Sequence, residues 1–68
     1  MRKTYHFTGF FQNMPNSSYD IDTEIEAYSS NQAYYLLSRK ISKTVRIQSN
    51  QLYSMLKKSK SVKVSIKN

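Results

Sequence analysis

The sequence predicts a small α+β domain: a two-layer sandwich in the order β-β-α-β-α-β, with a mixed sheet and both helices on one face. Three observations carry that expectation. Residues 20–28 alternate strictly between apolar and charged or polar side chains. Residues 30–41 set Ala33, Leu36, Leu37 and Ile41 at helical spacing. Finally, "SNQAYYLLSRKISKTVRI" (30–47) aligns without a gap on "SNQLYSMLKKSKSVKVSI" (49–66), with eight of 18 positions identical. Alternation sends successive side chains to opposite faces of a strand, whereas a 3.6-residue period gathers them on one side of a helix.

The elements follow in order. "KTYHFTGFF" (3–11) reads as an aromatic strand with Tyr5, Phe7, Gly9 and Phe11 on one face and His6, Thr8 and Phe10 on the other. Gly9 has no phosphate-loop context; a glycine inside a strand marks a bulge or a close backbone approach. A polar turn around Pro15 leads into 20–28, where Ile21, Thr23, Ile25 and Ala27 oppose Asp20, Asp22, Glu24, Glu26 and Tyr28. The two strands are expected to pair as an antiparallel hairpin over 3–28. Ser29 with Gln32 forms a capping-box pattern that opens the first helix near residue 30. The internal repeat then implies two helix-strand units, 30–47 and 49–66, with short strands at 44–48 and 62–67. Right-handed crossovers would place both helices on the same sheet face. The open face would carry the acids, Thr44, Arg46 and Gln48, and Lys63, Ser65 and Lys67.

At 68 residues the chain makes a single domain, 1–68, with a thin core. It has no cysteine, so neither a disulfide nor a thiolate metal site can reinforce it. The basic start lacks the apolar run of a secretory signal, and nothing approaches a membrane span, so a soluble cytoplasmic protein is expected.

Charge is the strongest functional signal. The formal net charge is +7, all four acids lie within residues 20–26, and residues 39–68 hold nine basic residues without an acid. Those nine are Arg39, Lys40, Lys43, Arg46, Lys57, Lys58, Lys60, Lys63 and Lys67. Cations near helix C-termini are favoured by the dipole, and lysines on an edge strand block aggregation. Nine in thirty residues exceed what either role asks, and phosphate-backbone binding is the reading they support, with an acidic protein partner or a solvated surface as the alternatives. Phe10 and Tyr35 are candidate positions for stacking an unpaired base. The consensus of RNA-recognition motifs is absent, because "YHFTGFF" lacks its basic residue and second glycine.

Catalysis and metal binding find little material. Acids repeating along one strand face lie roughly 6.5–7 Å apart, too far to share an ion unless another segment contributes, and no other segment has an acid. His6 is the only histidine. No nucleophile-base pair, cofactor or small-molecule substrate is implied.

The stretch "GFF" at 9–11, "EIEA" at 24–27 and Ala33, six residues after Ala27, resembles the start of the LX family of large-subunit ribosomal proteins. The resemblance covers residues 9–33, about a third of the chain. It breaks down after the helix, where "SRKISKTVR" replaces that family's Gly-Ser-x-His turn. The resemblance implies contact with ribosomal RNA through the basic half. The leading expectation is therefore a non-enzymatic nucleic-acid-binding protein that contacts the phosphate backbone, RNA in preference to DNA, within a ribonucleoprotein particle. The alternative is a small protein-interaction module, an accessory subunit or mobile-element inhibitor, docking its charged face on a larger assembly.

Overall fold

Alternating aromatic and polar residues make Lys3–Met14 the longest strand, β1, and the acid-striped segment Ser17–Ala27 forms β2 beside it. The computed structural model describes residues 1–14 and 17–67; the turn expected around Pro15 lies outside them. After β2 come α1 (Ser30–Val45), α2 (Ser49–Lys58) and β3 (Val62–Lys67). The sheet order is β2-β1-β3, so the first strand is central and pairs antiparallel with both neighbours.

Each strand sends one face inward. Tyr5, Phe7 and Phe11 of β1, Ile21 and Ala27 of β2 and Val62 of β3 form one core with Ala33, Leu37 and Ile41 of α1 and Leu52 and Leu56 of α2. Phe7 is fully buried and meets the Tyr34 ring edge-on, with centroids 5.1 Å apart. Burying a side chain such as Phe7 or Leu37 contributes about 1.5–3 kcal/mol. Both helices share this face of the sheet, and the other face is open.

A variant of the capping box forms, in which Gln32 reaches the amide of the residue before the cap. Ser29 Oγ accepts from the Gln32 amide at 3.2 Å, while Gln32 Oε1 reaches back to the Tyr28 amide at 2.7 Å. Two backbone donors at the helix start are thereby satisfied.

The expected α+β sandwich with two helices on one face is what the chain adopts, with two corrections. The sheet is wholly antiparallel rather than mixed, and residues 44–48 are not a strand. Instead α1 runs on through Thr44 and Val45, and Arg46, Ile47 and Gln48 connect it to α2. The reason is the length of the apolar stripe. Ala33, Leu37, Ile41 and Val45 recur every four residues, and the first three are buried, so packing continues to the end of α1. In the aligned second copy the counterpart of Ile41 is Lys60, and α2 has nothing to bury beyond Leu56. Thr44, Arg46 and Gln48 are therefore absent from the open sheet face.

Arg46 ends α1 with φ 60°, in the left-handed region, its amide still bonded to the Ser42 carbonyl at 3.2 Å. That conformation costs a side-chain-bearing residue about 1–2 kcal/mol and glycine almost nothing. Gly9 is the second special position. Its φ is 111°, and a Cβ there would stand 1.9 Å from the Ser61 carbonyl oxygen, to which the Phe10 amide donates at 3.3 Å. The glycine permits the backbone contact expected of it, at the point where β3 joins β1.

Gly9→Ala is expected to destabilise the fold by on the order of 3 kcal/mol, combining a forbidden φ with backbone overlap, a large share of what so small a domain possesses. Urea denaturation measures this; a loss below about 1 kcal/mol would show that the backbone at Ser61 can withdraw. Arg46→Gly should act oppositely, raising stability by up to about 1 kcal/mol in the same measurement.

Candidate nucleic-acid interface

The open sheet face is an ordered mosaic of charge. Antiparallel register sets Glu26, Thr4 and Lys67 in one row across β2, β1 and β3, then Glu24, His6 and Ser65, then Asp22, Thr8 and Lys63. Acidic and basic strands are thus separated by β1, a gap of about 9.5 Å between outer strand axes. Lys67 is long enough to cross it and pairs with Glu24. His6 Nε2 donates to Asp22 Oδ1 at 2.7 Å, and Arg2 Nη1 lies 3.6 Å from Glu26 Oε2. Among the described residues Asp20 makes no ion pair, and no cluster of three or more acids, histidines or cysteines is placed to hold a metal.

The Lys67 contact is reflected in proton affinity. Its hydrogen bond first, and its positive charge second, hold the Glu24 carboxyl below its ordinary pKa, while the same contact with Glu24 raises Lys67. A depressed carboxylate contributes stability that is present above its unfolded pKa and is lost as pH falls through the folded one. The raised lysine contributes below its unfolded pKa and loses its effect as pH rises through the folded value. Both groups are solvent-exposed, so the pair orients the sheet face more than it stabilises the fold.

Basic residues on the helical layer are arranged differently. Arg39, Lys40, Lys43 and Arg46 occupy the second half of α1 and its cap, and Lys57, Lys58 and Lys60 the end of α2 and the bend after it. The Lys57 ammonium donates to Asn31 Oδ1 at 2.8 Å, which brings the last turn of α2 beside the first turn of α1. The helices form an antiparallel hairpin, and their basic C-terminal ends point to opposite ends of it. With a rise of 1.5 Å per residue, Lys43 lies about 18 Å along α1 from Asn31. The nine candidate cations therefore occupy three places: the second half of α1 and its cap, where the Lys40 ammonium turns to donate to Thr23 Oγ1 of β2 at 3.0 Å, the end of α2 with the bend after it, and, for Lys63 and Lys67, the open sheet face.

The candidate aromatics also part company. Phe10 is 46% exposed on the open face opposite Asp20, whereas Tyr35 is 47% exposed on α1. The Arg39 guanidinium lies 5.9 Å from the Tyr35 ring centroid, one helical turn on, so cation and aromatic reach solvent together. Tyr34, its neighbour, is packed against Phe7.

Layer by layer, the charge balance is uneven. The strands and the N-terminus hold Arg2, Lys3, Lys63 and Lys67 against four acids, which is neutral; residues 30–61 hold seven cations and no acid. All of the net charge of +7 resides in the helical layer. The basic stretch 39–68 is thus divided between the two layers, because β3 comes last in sequence yet lies in the sheet with β2.

Among the described residues no helix is long and apolar enough to cross a membrane. No family model, curated protein or solved structure matches the chain.

Replacing Lys67 by alanine should move the Glu24 titration midpoint upward towards the ordinary glutamate range, as followed by carboxyl carbon NMR shifts. An unchanged midpoint would show that the pair does not persist in solution.

Proposed function

We propose that the protein is a non-enzymatic nucleic-acid-binding domain that holds a phosphate backbone on its helical layer, RNA in preference to DNA. The observation that carries this reading is the confinement of the net charge to residues 30–61. A surface with seven cations and no carboxylate attracts a polyanion and releases its counterions on contact. Arg39, Lys40, Lys43 and Arg46 at one end and Lys57, Lys58 and Lys60 at the other suit a backbone running along the helical hairpin, since a strand of several nucleotides spans that distance. Tyr35 with Arg39 supplies a stacking position for an unpaired base on the same layer, which favours single-stranded RNA.

Lys63, Lys67 and Phe10 have no part in this reading. They belong to the sheet face, where Lys67 already has a carboxylate partner and approaching phosphates would meet four acids. The resemblance of residues 9–33 to LX ribosomal proteins agrees with a place inside a ribonucleoprotein particle.

The test compares two neutralised variants by fluorescence anisotropy with labelled single-stranded RNA across a salt series. Changing Lys57, Lys58 and Lys60 together to Gln should weaken binding and flatten the log-log salt slope by about 0.7 per lost phosphate contact. Changing Lys63 and Lys67 to Gln should leave slope and affinity nearly unaltered. Equal losses in both variants would show that the phosphates contact both layers and contradict a site confined to the helices, and absence of salt-sensitive binding by the unmodified protein would remove the reading.

A further inference from the structure

β2 is a sheet edge: it pairs with β1 alone, and its other backbone row faces outward beside α1. Between that edge and the helix runs a cleft of about 230 Å³ lined by Tyr19, Asp20, Ile21, Asp22, Thr23, Leu37, Lys40 and Ile41. Five of these are consecutive residues of β2, and the other three come from α1. The volume is below the roughly 300–1,000 Å³ of small-molecule sites, and the cleft follows the consecutive edge residues Tyr19 to Thr23.

We infer that this edge docks an extended basic segment of a partner polypeptide, one that alternates Lys or Arg with apolar residues and joins the sheet as a fourth strand. Its backbone would take up the unpaired N–H and C=O groups of β2, the mode of recognition in which main-chain hydrogen bonds give affinity and alternate side chains give specificity. Side chains on the open face would stand 4.5–5.5 Å, Cβ to Cβ, from Asp20, Asp22 and Glu24, where cations are favoured and acids repelled. Side chains on the other face would enter the cleft over Ile21, Leu37 and Ile41. Asp20 is the natural anchor, since among the described residues it has no cation of its own. The hydrogen bond from the Lys40 ammonium to Thr23 Oγ1, 3.0 Å long and exposed, spans the cleft and is replaceable by water when the segment enters.

The occupant is a free segment rather than a second copy of this chain. β2 laid antiparallel on β2 would set acids beside acids. β3 carries the right alternation, Val62, Val64 and Ile66 against Lys63 and Lys67, but it travels with its own helices. Two packed helices occupy a width of about 18–20 Å, against about 14 Å for the three strands of one sheet at 4.7–4.9 Å each. The helical layer overhangs the edge, and a second layer brought alongside would collide with α1. An extended segment has no such layer. This surface shares Lys40 with the basic helical layer assigned to RNA, but its other β2 residues, Tyr19 to Thr23, have no part in that reading, so shifts in β2 separate the failure of one inference from the failure of the other.

The test titrates the intact protein with a labelled, end-capped heptapeptide alternating lysine with valine and isoleucine, read by anisotropy and by amide NMR shifts. Saturable binding is expected, with shifts concentrated in Tyr19–Thr23 and Leu37–Ile41. The same peptide N-methylated at every interior residue keeps its charge but loses its donors, and should bind at least tenfold more weakly. The double variant Asp20→Asn, Asp22→Asn, whose fold is checked by circular dichroism, should weaken the unmodified peptide about three- to tenfold. Equal affinity of the methylated peptide, shifts outside the cleft, or no binding would each overturn the proposal.

Discussion

The position of β1 between β2 and β3 is the constraint on which the rest depends, and the ladder from Thr4–Lys67 to Gly9–Val62 that sets it ends in one close backbone contact. Where β3 joins, the Ser61 carbonyl lies against Gly9, and any side chain there would push the last strand off. With β3 in place, β1 is paired along both edges, Phe7 is covered, and α2 is held over the sheet by a bend of only three residues. A 68-residue chain without disulfides has little other means of holding its two ends together.

That strand order also explains the gathering of every acid on β2. Were β2 and β3 direct neighbours, their charges would pair locally; with β1 between them the acids and lysines face each other over a row of Thr4, His6 and Thr8. Among the described residues of β3 only Lys67 crosses to a carboxylate. The layer is neutral as a whole yet presents an acidic edge on one side and a basic edge on the other. Like edges repel, which protects exposed strand backbone from pairing with itself. Because the sheet neutralises its own cations, the helices are left to carry the charge of the molecule.

Much of this architecture was legible in the residues. The hairpin followed from the alternation at 20–28, the start of α1 from Ser29 and Gln32, and the role of Gly9 from its place in an aromatic strand. The internal repeat was informative where it encodes a helix: Ala33 and Leu52, like Leu37 and Leu56, occupy aligned positions and are fully buried or nearly so. It misled beyond that point. Val45 and Ile47 match Val64 and Ile66, but Val45 is also four residues after Ile41, and tertiary packing extended the helix in preference to starting a strand. The basic residues were recognisable as a group, whereas their division into three places was not. That division depends on the antiparallel course of the helices and on β3 lying in the sheet, which are long-range facts with no local pattern. The cleft beside β2 was invisible for the same reason, since alternation does not say which strand is an edge.

The central claim is that charge is segregated by layer and that the helical layer alone meets nucleic acid. Amide NMR shift mapping with unlabelled single-stranded RNA tests it most directly, because it reports the contacted surface without altering a residue. The account predicts changes along α1 and α2, strongest near Arg39 to Arg46 and Lys57 to Lys60, with the open-face positions of β2 and β3 unmoved. Changes centred on Lys63 and Lys67, or spread evenly over both layers, would contradict it.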